Sequence, residues 1–266
     1  MVQNIYNRII ETLILAIVQG ITEWLPISSS GHLVIVQKWL GLEELPLLFP
    51  VTLHLGTLCV VLLTFWRDIA EIFKALVQLD FKTDEGKLAL YITVGSVPTA
   101  IIGVFFHDIF ESLFYSLLAV GIALLITGFF LYVSERRKNG KDLSWLDSLL
   151  VGIAQGVAII PGISRSGVTI STGLLRRVKK EKVIRYSFLL SIPAIIGAVI
   201  IESMNLTVSN VDTATLLLGA ITSMIVGYAS LKLLLKIILK ERFHLFAYYC
   251  WTVGVILILY HFSQPV

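Results

Sequence analysis

Charge is scarce in this sequence. Charged residues occupy 15% of its 266 positions, against about a quarter in soluble domains. That is too little polar surface to clothe a globule in water. Cysteine is scarcer still: Cys59 and Cys250 both lie in apolar stretches. They exclude a disulfide framework or a thiolate metal site and read as small core residues. The net charge is only +3, and no run of Lys or Arg is interleaved with aromatics, so a nucleic-acid track is excluded. A cleavable-signal pattern is missing too, because Glu11 interrupts the first apolar region, which then continues into the domain. What the chain has in excess is apolar. Hydrophobic residues reach 56%, with a further 19 glycines, and the mean hydropathy is +0.87. This composition describes an all-α polytopic membrane protein.

A hydrocarbon core about 30 Å thick takes roughly 20 apolar residues as helix. Six segments approach that length without an internal charge: 49–66, 88–106, 113–133, 187–201, 213–231 and 245–262. The fourth is short and carries Pro193, so it is expected to borrow flanking residues. Two more apolar stretches, 9–42 and 146–175, are broken near their midpoints by polar, glycine-rich sequence. Eighteen of the 21 Lys and Arg fall in segments 67–87, 134–142, 176–185 and 232–242, whereas 40–48, 107–112 and 202–212 have none. The positive-inside rule makes the first group cytoplasmic and the second external. Stretch 146–175 then has cytoplasmic charge at both ends. Its second limb, 168–175, would be only about 12 Å of helix, so the stretch reads as a re-entrant hairpin. Such broken backbone is tolerated only where protein or a wet cavity surrounds it.

Stretch 9–42 matches it. QGITEWLPISSSG (Gln19 to Gly31) and QGVAIIPGISRSG (Gln155 to Gly167) share Gln-Gly at the start and Ile-Ser-x-Ser-Gly at the end. Each is followed by three spans, an odd number, so the second copy sits upside down relative to the first. The expectation is a single membrane domain built as an inverted-topology repeat, each half a re-entrant helical hairpin plus three transmembrane helices. Repeat one covers 1–133 and repeat two covers 146–262. Inverted repeats place a binding site near the midplane, where broken helices meet.

Both loops end in Ser-x-Ser-Gly before a helix expected to start at His32 or Val168. Serine is a favoured N-cap, and two such helix ends facing one cavity would offer free N–H groups and positive dipole charge to an anion, phosphate above all. The plainer alternative is a pair of capped half-helices and nothing more. Away from the span ends, the only acid and the only cation in apolar sequence are Glu23 and Arg165. An intramembrane Arg costs about 3 kcal/mol or more. The two charges can be read as a buried pair that docks the repeats. They can also be read as chemistry: Arg165 as a bidentate phosphate clamp, and Glu23 as a general base, a general acid or a divalent-ion ligand. From Ser28 through Ser29, Ser30 and Gly31 to His32, three hydroxyls and an imidazole fall within five residues. A serine can attack phosphorus when a base takes its proton, and a histidine can protonate the leaving oxygen.

The remaining candidates are weaker. His54 is intramembrane but can simply bond a carbonyl, and His107, His244 and His261 sit at span ends. Gln19 and Gln155 occupy matching positions and read as hydrogen-bond anchors, with Gln19 one helical turn from Glu23. Trp24 reads as a packing or interface residue, and the basic run from Arg176 to Arg185 as a topology determinant and anionic-lipid contact.

At these motifs the chain resembles the undecaprenyl-diphosphate phosphatases of the bacitracin-resistance type. QGITEWLPISSSGH (Gln19 to His32) and PGISRSGVTIS (Pro161 to Ser171) look like that family's two signatures. FPVTLHLGT (Phe49 to Thr57) and FLLSIPA (Phe188 to Ala194) extend the likeness along the chain. The resemblance implies hydrolysis of a polyprenyl diphosphate to the monophosphate and inorganic phosphate, which recycles the lipid carrier of cell-wall synthesis. It also implies a plasma-membrane enzyme whose site opens to the outer face, a divalent cation (Mg2+ or Ca2+), and lipid partners, with a homodimer admissible. By position it makes Glu23, Ser29, His32 and Arg165 catalytic and Glu23 a metal ligand. Gln19, Ser28, Ser30, Gly31, Ser164, Ser166, Gly167 and Thr169 become substrate-binding. Gln19 stands where the family also uses Glu, which removes one candidate carboxylate. Attack by a metal-bound water, or by His32, remains an alternative to attack by Ser29.

Three rival readings are weighed against this one. Ser30-Gly31-His32 and Ser164-Arg165 look like fragments of another membrane lipid phosphatase class, but the sixth residue after Arg165 is Ser171 instead of His, and no Lys-x6-Arg-Pro occurs. A polyprenyl-phosphate flippase or anion transporter would need Arg165 and the helix ends, but no nucleophile. A re-entrant-loop ion channel fits a buried Arg in a single-chain pseudo-dimer poorly. The charge parity makes a direct prediction. In a cysteine-free background, a cysteine placed at Asp108 should react with a membrane-impermeant maleimide on intact cells, and one placed at Lys179 only after permeabilisation. The reverse pattern would invert the topology.

Overall fold

The computed structural model describes residues 2–42, 48–134, 140–204 and 212–264; parts of the expected loops 40–48, 134–142 and 202–212 lie outside them. The described chain is all helical apart from one isolated parallel bridge between Lys141 and Val178. The first half contains α1 (Val2–Trp24), α2 (Ser29–Leu40), α3 (Leu48–Thr64), α4 (Trp66–Val77), α5 (Asp84–Phe105), α6 (His107–Leu113) and α7 (Leu117–Ser134). The second contains α8 (Trp145–Val157), α9 (Arg165–Leu175), α10 (Lys180–Met204), α11 (Thr213–Leu239) and α12 (Leu245–Ser263). Helices α5, α7, α10, α11 and α12 are long and apolar enough to cross a membrane, and α3 with α4 makes a sixth candidate bent by 77°. This is a polytopic membrane protein.

Several boundaries differ from the sequence reading. The span expected at 49–66 ends at Thr64 and turns sharply, and what was expected as a basic loop after it is largely α4. Helix α4 buries Ile72 and Ala75 but exposes Trp66, Phe73 and Val77 beside Arg67 and Lys74. That pattern suits a membrane–water boundary. The short fourth span is part of the 25-residue α10, which borrows its first turns from the charged run beginning at Lys180. The stretch 107–112 is helical as α6. Cys250 is a core residue, but Cys59 is exposed on α3; an apolar run does not say which face of its helix is covered. Large apolar side chains such as Leu63, Val104, Phe105 and Ile225 are likewise exposed around the bundle, as a lipid-facing surface requires.

The two hairpins are α1–α2 and α8–α9. Helices α2, α8 and α9 have 12, 13 and 11 residues, about 16–20 Å at 1.5 Å per residue, too short to cross. Helix α1, with 23 residues, is longer than a half-span. Hairpin two starts and ends at the same place. Asp147, the third residue of α8, is fully buried and pairs with Arg176 at the end of α9 (2.9 Å) and with Lys141 (2.6 Å). It also closes a capping box with Ser144. Around it the four basic segments are tied together: Lys179 and Lys182 to Asp142, Lys180 to Glu241, and Arg185 to Asp68 and Glu85. Hydrogen bonds from those two lysines hold the exposed Asp142 carboxyl below its ordinary value. The basic segments therefore share one end of the molecule, as the charge parity required.

Packing exchanges the halves. Hairpin-one helix α1 lies on α11, and hairpin-two helix α8 lies on α5; α7 lies on α12, and α3 on α10. The most extensive helix pairs all join one half to the other. Close approach depends on small residues. A Cβ on Gly152 of α8 would run into the Gly95 backbone of α5, while the Thr99 hydroxyl hydrogen-bonds both the Gly152 carbonyl (2.9 Å) and the Gly95 carbonyl (3.0 Å). Gly197, by contrast, faces open space. Gly152→Ala should therefore lower the thermal unfolding midpoint in detergent by several degrees, and Gly197→Ala should leave it within about a degree of wild type or raise it. Equal effects would show that this contact does not limit packing.

Candidate active site

Both hairpins turn by the same device. Ser28 caps α2, its hydroxyl accepting from the Gly31 N–H (3.3 Å), and Ser164 caps α9, accepting from the Gly167 N–H (3.2 Å). The first serine of each Ser-x-Ser-Gly is thus the cap, and the helices begin at Ser29 and Arg165 rather than at His32 and Val168. That correction places Ser29 and Arg165 at the same structural position in the two repeats. Capping by the earlier serine wins because it lies three residues before a glycine N–H, the reach a cap needs.

The tips touch. The Gly162 N–H of hairpin two donates to the Ser28 hydroxyl of hairpin one at 3.0 Å. A Cβ on Gly31 would come within 3.1 Å of the Gly162 backbone. Ser28 adopts φ 70°, a conformation costly for a residue with a Cβ. Its hydroxyl is what joins the tips. Thr127 of α7 fixes the other side, donating to the Gly162 carbonyl (2.9 Å) and accepting from the Ser164 N–H (3.1 Å).

At the contact sits Glu23, the penultimate residue of α1. Its side chain is only 6% exposed, and one carboxylate oxygen accepts from the Arg165 guanidinium at 2.5 Å. The other accepts from the Ser29 hydroxyl (2.6 Å) and from the Gln19 amide (3.1 Å). Gln19 spans further: its nitrogen also lies 3.1 Å from His54 Nδ1. An amide nitrogen only donates, so Nδ1 is the acceptor there. Trp24 is fully buried, packs edge-on against Phe188, and carries the Arg165 guanidinium 5.2 Å from its ring centre. Within this packed cluster, Gln19 Oε1, Trp24 Nε1 and Arg165 Nη1 are buried without a hydrogen-bond partner. Buried polar atoms ordinarily find one, so Gln19 Oε1 and Arg165 Nη1 keep hydrogen-bonding capacity that another polar group can use. A serine hydroxyl on a carboxylate, with a guanidinium alongside, can serve as a nucleophile, its base and an anion clamp.

The family model described as bacitracin resistance protein BacA matches residues 12–256. This chain belongs to the BacA family. It is similar to proteins named undecaprenyl-diphosphatase from Halothermothrix orenii (43% identical, covering 95% of this chain and 98% of that protein) and Methanosphaera stadtmanae (44%, 94% and 97%). Another of that name, from Korarchaeum cryptofilum, is 44% identical over 93% of this chain and 97% of its own length.

For this BacA-family chain the other expected site residues divide into groups. Ser30 lies beside Ser28 (3.3 Å between hydroxyls). Ser166 and Thr169 are buried and hydrogen-bond within hairpin two, Ser166 to Ser164 (3.3 Å), with Thr169 reaching Ser187 of α10 (2.5 Å). Gly31 and Gly167 are the close-packed N–H donors already described. His32 is not bonded to Glu23 or Ser29. It turns to the Ser28 carbonyl and to Tyr249. Gln155 is buried in the matching place to Gln19 but reaches Thr99 and the Leu190 carbonyl, because Ile159 stands where Glu23 would be. His54, Thr127 and Tyr249 are members of the site or its frame that sequence reasoning undervalued or missed. His54 had a signal, an imidazole inside an apolar helix; the other two had none. Since the Ser28 hydroxyl bonds the N–H groups of both tips and Ser30 bonds neither, Ser28→Ala should cost about 1–2 kcal/mol of stability, seen as a lower unfolding midpoint. Ser30→Ala should stay near wild type; a reversed order would mean the tips are joined otherwise.

Proposed function

We propose that this chain is an integral-membrane phosphatase that hydrolyses undecaprenyl or a similar polyprenyl diphosphate to the monophosphate and inorganic phosphate, recycling a lipid carrier of cell-wall synthesis. One observation carries the reading: the Ser29 hydroxyl donates to a carboxylate whose other oxygen holds Arg165. Family membership and the name shared by its relatives support the substrate class. Arg165, with one nitrogen still open, and the early N–H groups of α2 and α9 bind the terminal phosphate. Ser29 attacks the terminal phosphorus as Glu23 takes its proton, and the bond to the bridging oxygen breaks. The prenyl phosphate leaves with a proton from His32. Water then releases the phosphate from Ser29. Phosphoryl transfer asks mainly for alignment and charge stabilisation, which this set supplies.

A hard divalent cation prefers oxygen ligands. The Glu23 carboxylate, the open Gln19 Oε1 and the Ser29 hydroxyl fit Mg2+ or Ca2+, with the Arg165 contact taking up one carboxylate oxygen. Bound there, such an ion would neutralise phosphate charge. The ion-pair lattice across the basic end supports a site reached from the opposite, external face. The two halves, hairpin plus three spans each, are read as inverted repeats; the exchanged packing of α1 on α11 and α8 on α5 supports this.

The test is phosphate release from a long-chain polyprenyl diphosphate by purified protein. Ser29→Ala, Glu23→Gln and Arg165→Ala should each lose about 100-fold or more in turnover. Wild-type turnover in all three would remove the site assignment. Lipid movement in liposomes without phosphate release by the wild type would instead favour a carrier.

A further inference from the structure

Next to the hairpin tips lies an apolar groove of about 590 Å³ between hairpin one and the α11–α12 pair. Leu25, Val36, Ile237 and Phe246 are among its walls, and its only polar side chains are Thr22, His32 and Tyr249. The Thr22 hydroxyl is committed to the Val18 carbonyl (2.6 Å). That leaves His32 and Tyr249 as the polar end of an otherwise greasy channel.

The two rings form a unit. They stack with centroids 5.7 Å apart and planes 14° from parallel, and His32 Nε2 lies 2.8 Å from the Tyr249 hydroxyl. On its other side His32 Nδ1 lies 2.8 Å from the Ser28 carbonyl. A carbonyl only accepts, so Nδ1 carries a hydrogen and Nε2 is the nitrogen free to exchange a proton. A phenol hydroxyl can donate to Nε2 when the ring is neutral and accept from it when the ring is protonated. Tyr249 can therefore hold Nε2 in the same place in both states. His32 is also three residues from Ser29 on one helix, so the two side chains share a face of α2. Tyr249 comes from α12, far away in sequence, and is 43% exposed, so an incoming amphiphile can reach it.

We propose that Tyr249 is a positioning residue that fixes His32 Nε2 at the head of this groove, where the phosphate end of a prenyl phosphate meets its apolar chain. The inference rests on the phosphatase reading above. As Ser29 Oγ gives its proton to Glu23 and bonds to the terminal phosphorus, the bond to the bridging oxygen breaks, and the Nε2 proton, shared until then between the Tyr249 oxygen and the bridging oxygen, passes to the bridging oxygen. The neutral ring left behind then accepts the Tyr249 hydrogen. Ser28, through its carbonyl, and Tyr249, through its hydroxyl, thus aim one imidazole from both sides.

The experiment is a double-mutant cycle on the full-length protein, using Tyr249→Phe, His32→Ala and the double variant, with phosphate release from a polyprenyl diphosphate as readout. Tyr249→Phe keeps the ring and its packing. It should lower kcat about 3- to 10-fold, the worth of one hydrogen bond, with KM within about twofold, and should cause no further loss in the His32→Ala background. The same fold loss in both backgrounds, an effect confined to KM, unchanged kcat in Tyr249→Phe, or full turnover in His32→Ala would overturn the inference. Because His32→Ala could fall below detection, the imidazole 15N signals of labelled protein give a second readout. The His32 Nε2 resonance should shift in Tyr249→Phe, and an unmoved resonance would also overturn it. Failure of the phosphatase reading looks different: the wild type itself would release no phosphate.

Discussion

The contact between Glu23 and Arg165 is the constraint from which the rest of the structure follows. Each is a charge that the membrane interior rejects, and their side chains are only 6% and 15% exposed. Burying an ion pair returns little net stability, but stranding one member is costly. Each half of the chain therefore carries a defect that only the other half can mend. The buried pair obliges the tips to meet, and the hydrogen bonds from Gly162 to Ser28 and from Thr127 to hairpin two hold them at the spacing the pair needs. Docking does not use up the carboxylate. The same carboxylate that joins the halves accepts the hydrogen of Ser29.

How far the sequence reveals this depends on the physics behind each feature. The spans were legible because crossing oil demands length and low charge, and nothing else competes with that demand. That 146–175 returns to the end it starts from was legible from charge at both ends, and Asp147 between Lys141 and Arg176 supplies the contact behind it. The bend after Thr64 was not legible, since hydropathy has no direction and no proline or glycine marks Phe65. Helix starts were misplaced because Ser-x-Ser offers two caps, and only the reach to the glycine N–H chooses between them. The exposed Cys59 shows the same limit: in lipid, apolar residues face both inward and outward.

Where the tips meet, Glu23, Ser29, Arg165 and Gln19 were legible as a group because polar side chains are expensive where they lie, so their presence demanded a reason. Tyr249 and Thr127 could not be found that way. Tyrosine and threonine are cheap in a helix, and each acts on a residue that only the fold brings near, His32 for one and the Gly162–Ser164 turn for the other. His32 was expected to work with the serines of its own loop. The Ser28 carbonyl and the Tyr249 hydroxyl turn it aside, toward the apolar groove.

Ser29 and Arg165 open their helices at the same station, one past the capping serine. Two identical halves assembled as twins would present either two hydroxyls or two guanidiniums at the junction, and never one of each. Within a single chain the two stations can differ, and Ile159 at the position matching Glu23 leaves a lone acid between them. The asymmetry of this junction is thus something a symmetric pair could not possess, and the covalent link between the halves is what fixes it.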